Sequence, residues 1–213
     1  MDSLQTNFFD WAFSDFNSVL TILNLRPEES ENFFNVENVV LLDSFPSIYG
    51  GKFRGLPGTR FIHDIHKDGD LEEEKEQFSQ RYFRRYQRLY QSIKNNETVY
   101  FMRWKSEPDL HQLDQFFGAL ETIKSGHQHI LVNVLTKKPE TDTSKSPWKD
   151  QYKVFNLNDY PFVKEPDEDG GGASQNHLNW KAVFDWIDDH PGKGFEWKLE
   201  EKGALVSPHH PCN

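Results

Sequence analysis

The densest polar stretch of the chain is His63-Asp64-Ile65-His66-Lys67-Asp68-Gly69-Asp70, with two imidazoles and three carboxylates within eight residues. Such a set has the donor types that bind divalent metals. Asp68-Gly69-Asp70 has the Asp-x-Asp form that holds a divalent ion against a sugar-nucleotide diphosphate in some glycosyltransferases. The same two aspartates also stand immediately before an acidic helical segment, where they would serve as N-caps. Both readings remain open for Asp68 and Asp70. His63 and Asp64 follow Phe61-Ile62 and are expected at the end of a short strand, as acid, base or metal ligand.

Arg103 closes the run Thr98 to Trp104, which reads as a strand buried on both faces. Open α/β sheets place their ligands at strand carboxyl ends, where a guanidinium would anchor a phosphate or carboxylate. The alternative is pairing with Glu107 or Asp109. The segment Arg81-Tyr82-Phe83-Arg84-Arg85-Tyr86-Gln87-Arg88 interleaves bases with aromatics. On a helix that pattern gives a core stripe beside a solvated basic face, or an anion contact through Arg85. The tail His209-His210-Pro211-Cys212 resembles a metal set only superficially. Cys212 is the single cysteine, so an internal disulfide is impossible and a reducing compartment such as the cytoplasm is expected. No glycine-rich phosphate loop, nucleophile-elbow serine or His-Glu-x-x-His occurs.

The elements that must position these groups follow from periodicity. Val19, Leu20, Ile22 and Leu23 predict a helix capped from Ser14 to Asn17 and stopped by Pro27. Val39 to Leu42 predicts a strand, and Asp43 to Arg60, with Phe45-Pro46, Gly50-Gly51 and Pro57-Gly58, predicts a long loop. Phe78, Tyr82, Tyr86, Leu89 and Ile93 form one apolar stripe at steps of four, four, three and four. Glutamates from Glu72 begin this helix, arginines lie further along, and Asn95-Asn96 ends it. After the strand ending at Trp104, a second helix turns Leu110, Leu113, Phe117 and Leu120 inward. His129 to Thr136 is a second continuous strand, its run broken by Asn133. A crossover this long requires a parallel pair. Tyr152 to Leu157 predicts another strand, Asn179 caps a helix burying Val183, Phe184 and Ile187, and Phe195, Trp197 and Leu199 alternate as an edge strand.

The expected whole is one α/β domain over residues 1–213. Its fold is three-layer and Rossmann-like, a mostly parallel sheet with helices on both faces. A flexible acidic, Gly-rich loop is expected at 161–175 and a loose tail at 207–213. The 24 Lys plus Arg against 34 Asp plus Glu give a formal net charge of −10, which disfavours nucleic acid. No apolar run is long enough for a membrane span.

The Phe-Phe-Asp-Trp segment (Phe8 to Trp11), His63-Asp64, the Arg-Tyr-x-Arg-Arg helix (Arg81 to Arg85) and Val-Tyr-Phe-Met-Arg (Val99 to Arg103) resemble, in order and spacing, a family of unknown function labelled papain-like cysteine peptidase. The resemblance covers about residues 3 to 140. Family members typically carry Ser-Leu-Gly-x-x-Cys ahead of the Phe-Asp-Trp motif. Only Ser3-Leu4 precedes it here, so the resemblance implies a member without the peptidase nucleophile. Members also occur beside or fused to glycosyltransferases.

Three functions are therefore expected, in this order. The first is a transferase of glycan or nucleotide-sugar metabolism with a pocket at the sheet's carboxyl edge. Its catalytic candidates are Asp10, His63 and Asp64, and its ligand contacts Arg103, Arg85 and Trp11. Its partner would be a small anionic ligand or sugar-nucleotide, with Mn²⁺ or Mg²⁺ as the possible ion. The second is a cysteine peptidase dependent on Cys212, and the third a non-catalytic interaction protein.

Overall fold

A computed structural model describes residues 12–43, 48–104, 107–144, 146–159 and 176–189, without the side chains of 12, 13, 62, 63 and 176–181. In chain order the elements are β1 (Ala12–Ser14), α1 (Phe16–Asn24), α2 (Pro27–Phe33), β2 (Val39–Asp43), β3 (Ile48–Phe53), β4 (Thr59–His66), α3 (Leu71–Asn95), β5 (Tyr100–Trp104), α4 (Leu110–Ile123), β6 (Ile130–Leu135), β7 (Tyr152–Asn156) and α5 (Asn176–Asp189). They group into two compact units, Met1–Asn96 with Pro108–Gln128, and Glu97–Glu107 with His129–Asn213. Helices and sheets share the chain, as the α/β class requires. One sheet is parallel and the other antiparallel.

The first unit holds a four-stranded antiparallel sheet in the order β1-β4-β3-β2. The expected long loop over Asp43 to Arg60 is largely the hairpin of β3 and β4. The sequence reads as a loop because Gly50-Gly51 carries no strand signal. A Cβ on Gly51 would lie 2.6 Å from the Phe78 ring, so this glycine exists to let α3 approach the sheet. Pro27 ends α1 as expected but also begins α2, at the first helical position where its missing N–H costs nothing.

Aromatic rings fill the space between α3 and the sheet. Phe53 stacks on Phe78 with centroids 5.2 Å apart, and Phe61 meets Tyr82 at 4.0 Å. Phe53, Phe61, Phe78 and Tyr82 are fully buried. The predicted α3 stripe is correct at every position, since Tyr86, Leu89 and Ile93 are buried as well. The α4 helix begins with a capping box, Asp109 accepting from Gln112 N while the Gln112 side chain accepts from Asp109 N. It buries Leu113, Phe116, Phe117, Ala119 and Leu120. Leu110, expected inward, is 44% exposed; it is the first helical residue, ahead of the first packed turn.

The second unit is a parallel sheet in the order β5-β6-β7. One face packs on α5, through Val132, Val134, Phe155, Leu157, Val183 and Ile187. The expectation that β5 is buried on both faces fails at Met102 and Trp104, which are 41% and 44% exposed. β5 is the sheet's edge strand, and a continuous apolar run does not distinguish an edge from a centre. The helix expected from Asn179 starts at Asn176. The 161–175 loop, the strand at Phe195 to Leu199 and the tail lie outside the described residues.

Candidate functional site

In the first unit the chemistry gathers where β4 meets α3. Tyr49 pairs with Ile65 and Gly51 with Phe61, so β3 advances two residues while β4 advances four. His63 and Asp64 lie in this bulge, a device that re-aims side chains out of the strand's alternation. Ile65 and Phe61 are fully buried, yet Asp64 also meets α3. Its Oδ1 accepts from Arg81 Nη1 at 2.5 Å and its Oδ2 from the Tyr82 hydroxyl at 2.7 Å. Both oxygens are thus held, which makes Asp64 an orienting group in this geometry. Arg85 lies over the Tyr82 ring, 4.7 Å from its centroid. Burial first, then the Asp64 charge, pushes the Tyr82 phenol well above the usual tyrosine range.

Of the two aspartates read as caps or metal ligands, Asp70 caps α3, accepting from Glu72 N and Glu73 N. Asp68 is exposed. Among the described residues no group of three or more His, Cys, Asp or Glu converges as a metal set. His63 lies on β4 with its side chain outside the description; Asp10, Trp11 and Cys212 fall outside the described residues.

In the second unit a polar group interrupts an apolar sheet face. Arg103 on β5 stands directly across the ladder from Asn133 on β6, so both side chains leave the same face. That face is opposite the one packed on α5, whose β6 residues are Val132 and Val134. Asn133 is fully buried and its amide nitrogen donates to the Tyr152 hydroxyl at 3.1 Å. Its Oδ1 is buried with no hydrogen-bond partner among the described residues. Burial raises the Tyr152 phenol to about 12, against the Asn133 hydrogen bond that lowers it, and the charges of Glu107 and Arg103 both reach it. Glu107, the first acid considered as a partner for Arg103, accepts from the backbone N–H groups of Glu140 and Thr141.

Sequence reasoning reached Arg103 through its place at a strand's carboxyl end. It missed Asn133 and Tyr152. The available signal was Asn133 itself, a polar residue inside a buried apolar strand, where burial must be matched by hydrogen bonds. His63 and Asp64 belong to the first unit and Arg103 to the second. No family model matches this chain, and neither does any curated protein or solved structure compared with it.

Proposed function

We propose that the chain is a transferase-like enzyme of nucleotide-sugar or glycan metabolism whose donor docks on the carboxyl half of the parallel sheet. The observation that carries this reading is the buried Asn133 Oδ1 without a donor, on the same face as Arg103 and beside Tyr152. A buried acceptor left unmade costs about 1–3 kcal/mol, and a ligand hydroxyl would recover it. Arg103 would take an anionic group at the neighbouring strand position. An anion and a hydroxyl a few ångströms apart is what a sugar phosphate or nucleotide-sugar presents. The parallel β5-β6-β7 sheet is also the part of the chain that favours a Rossmann-like assignment.

The test is a thermal-shift panel of nucleotide-sugars, nucleoside diphosphates and sugar phosphates, with and without Mn²⁺ or Mg²⁺. Ligand at one hundred times its dissociation constant adds roughly 2.7 kcal/mol. For a chain of this size that corresponds to roughly 5–10 °C. The expected result is a shift for one donor class, lost in Arg103→Ala and in Asn133→Leu. A flat panel, or an undiminished shift in both variants, removes the reading and leaves the non-catalytic interaction protein as the better one.

A further inference from the structure

Arg85 is the only lysine or arginine in the buried class among the described residues, with 8% of its surface exposed. It projects from α3 one turn beyond Arg81, so the two guanidinium groups share a helix face. Arg81 is engaged with Asp64, and the second oxygen of Asp64 is taken by Tyr82. Arg85 lies over the Tyr82 ring, but its Nη1 is buried with no hydrogen-bond partner among the described residues.

A buried guanidinium with an open donor calls for an acceptor. A guanidinium keeps its proton under any ordinary condition and carries five N–H donors. Taking an unpaired charge out of water costs several kcal/mol after relaxation. A ring face offsets only part of that cost, and does so without accepting in the plane of the N–H groups. Asp64, Arg81 and Arg85 together carry one net positive charge, so an anion completes the group. The guanidinium fork matches two oxygens of a phosphate in its plane.

We infer that Arg85 anchors an oxyanion-binding site on α3 that takes a phosphate group, with Arg81 as the adjacent charge that Asp64 holds in place. Tyr82 supports the site with its ring face, over which the guanidinium carbon sits. Arg85 belongs to the first unit and Arg103 to the second.

The experiment is calorimetric titration and thermal unfolding of the full chain with inorganic phosphate, against chloride at equal ionic strength. A parallel arm uses a sugar phosphate, which separates a site for the phosphate group alone from one that also holds the organic moiety. Phosphate also stabilises proteins by exclusion from their surfaces, so Arg85→Met sets the baseline. Saturable binding of inorganic phosphate is expected in the wild type. Affinity should fall at least tenfold in Arg85→Lys, which keeps the charge and loses the fork. Binding should vanish in Arg85→Met, and that variant should be no less stable than the wild type in phosphate-free buffer. Should Arg85→Met not fold, Arg85→Lys carries the test. Absence of saturable binding in the wild type, or an unchanged affinity in Arg85→Lys, overturns the inference.

Discussion

The Tyr82 hydroxyl donates to the Asp64 carboxylate at 2.7 Å from a fully buried ring, so a helix residue reaches across to a strand residue through the aromatic core itself. Arg81, the preceding residue of α3, takes the other oxygen. Two consecutive helical residues point about 100° apart, yet both reach one carboxylate, which sits in the β4 bulge. The strand is thereby fixed against α3 by charge and hydrogen bonding as well as by packing.

Removing either contact therefore loosens the same joint. Tyr82→Phe should cost about 1–2 kcal/mol, the loss of one hydrogen bond to a charged group. Asp64→Asn keeps an acceptor for Tyr82 but loses the ion pair. Arg81 is 35% exposed, which screens the pair, so the expected cost is about 1–2 kcal/mol and below that of a fully buried bridge. Urea unfolding of the two variants and the double variant should give a coupling of at least 0.5 kcal/mol. Strict additivity would mean that the two contacts do not share a joint.

The elements visible in sequence are those whose signal is local. The α3 stripe of Phe78, Tyr82, Tyr86, Leu89 and Ile93 repeats often enough to fix the helix and its buried face, and the β6 run fixes a strand. β3 was hidden because Gly51 is there for Phe78, a residue 27 positions away that no window over the strand contains. The site divides the same way. Arg85 was readable as a candidate from composition, but its burial without a partner depends on Asp64 being occupied by Arg81 and Tyr82. That in turn depends on a bulge, which leaves no mark in the sequence. Asn133 was visible as an interruption, and its pairing with Arg103 came only with the parallel register.

Gly51 and Gly118 should respond in opposite directions to the same change. An added methyl at Gly51 meets the Phe78 ring at 2.6 Å, and the surrounding aromatic rings leave it nowhere to move. Gly51→Ala should destabilise by about 1–3 kcal/mol, as overpacking does. Gly118 lies inside α4, exposed, with nothing within 4 Å of an added Cβ. Gly118→Ala should therefore stabilise by about 1 kcal/mol through helix propensity. Chemical unfolding midpoints decide it, and a stabilised Gly51→Ala would refute the close approach of α3.

Alkaline pH should weaken the fold through its buried phenols. Tyr82, Tyr86 and Tyr152 all have their ionisation raised, in each case chiefly by burial, Tyr152 to about 12. A folded value above the unfolded one near 10 means that the fold prefers the protonated phenol. This stability is fully present below pH 10 and lost as pH rises through 10 toward the folded values. For Tyr152 alone the loss is about 2–3 kcal/mol between pH 10 and 12. Phenolate absorbance of the seven tyrosines should show part of the set ionising only with unfolding, and Tyr152→Phe should reduce that part. Smooth titration of all seven near pH 10 in the folded protein would contradict this.

His127 should set an acid limit well above the carboxylate range. Its ring is buried, stacked on Phe117 with planes 12° apart, with Nε2 3.5 Å from the Phe117 carbonyl and 3.9 Å from the Glu121 carboxylate. Burial lowers its proton affinity, and Lys124 lowers it further; the Phe117 carbonyl and Glu121 oppose this without reversing it. The folded value therefore lies below the unfolded one near 6.5. The fold prefers the neutral ring, so this contribution is present above pH 6.5 and is lost as pH falls through the folded value, because the unfolded chain takes up the proton first. The slope cannot exceed about 1.4 kcal/mol per pH unit for one group. Melting temperatures from pH 8 downward should begin to fall near pH 6.5, ahead of the drop caused by carboxylates. His127→Leu keeps an apolar side chain at the site and should postpone the fall to lower pH. An identical acid profile in that variant would show that another group sets the limit.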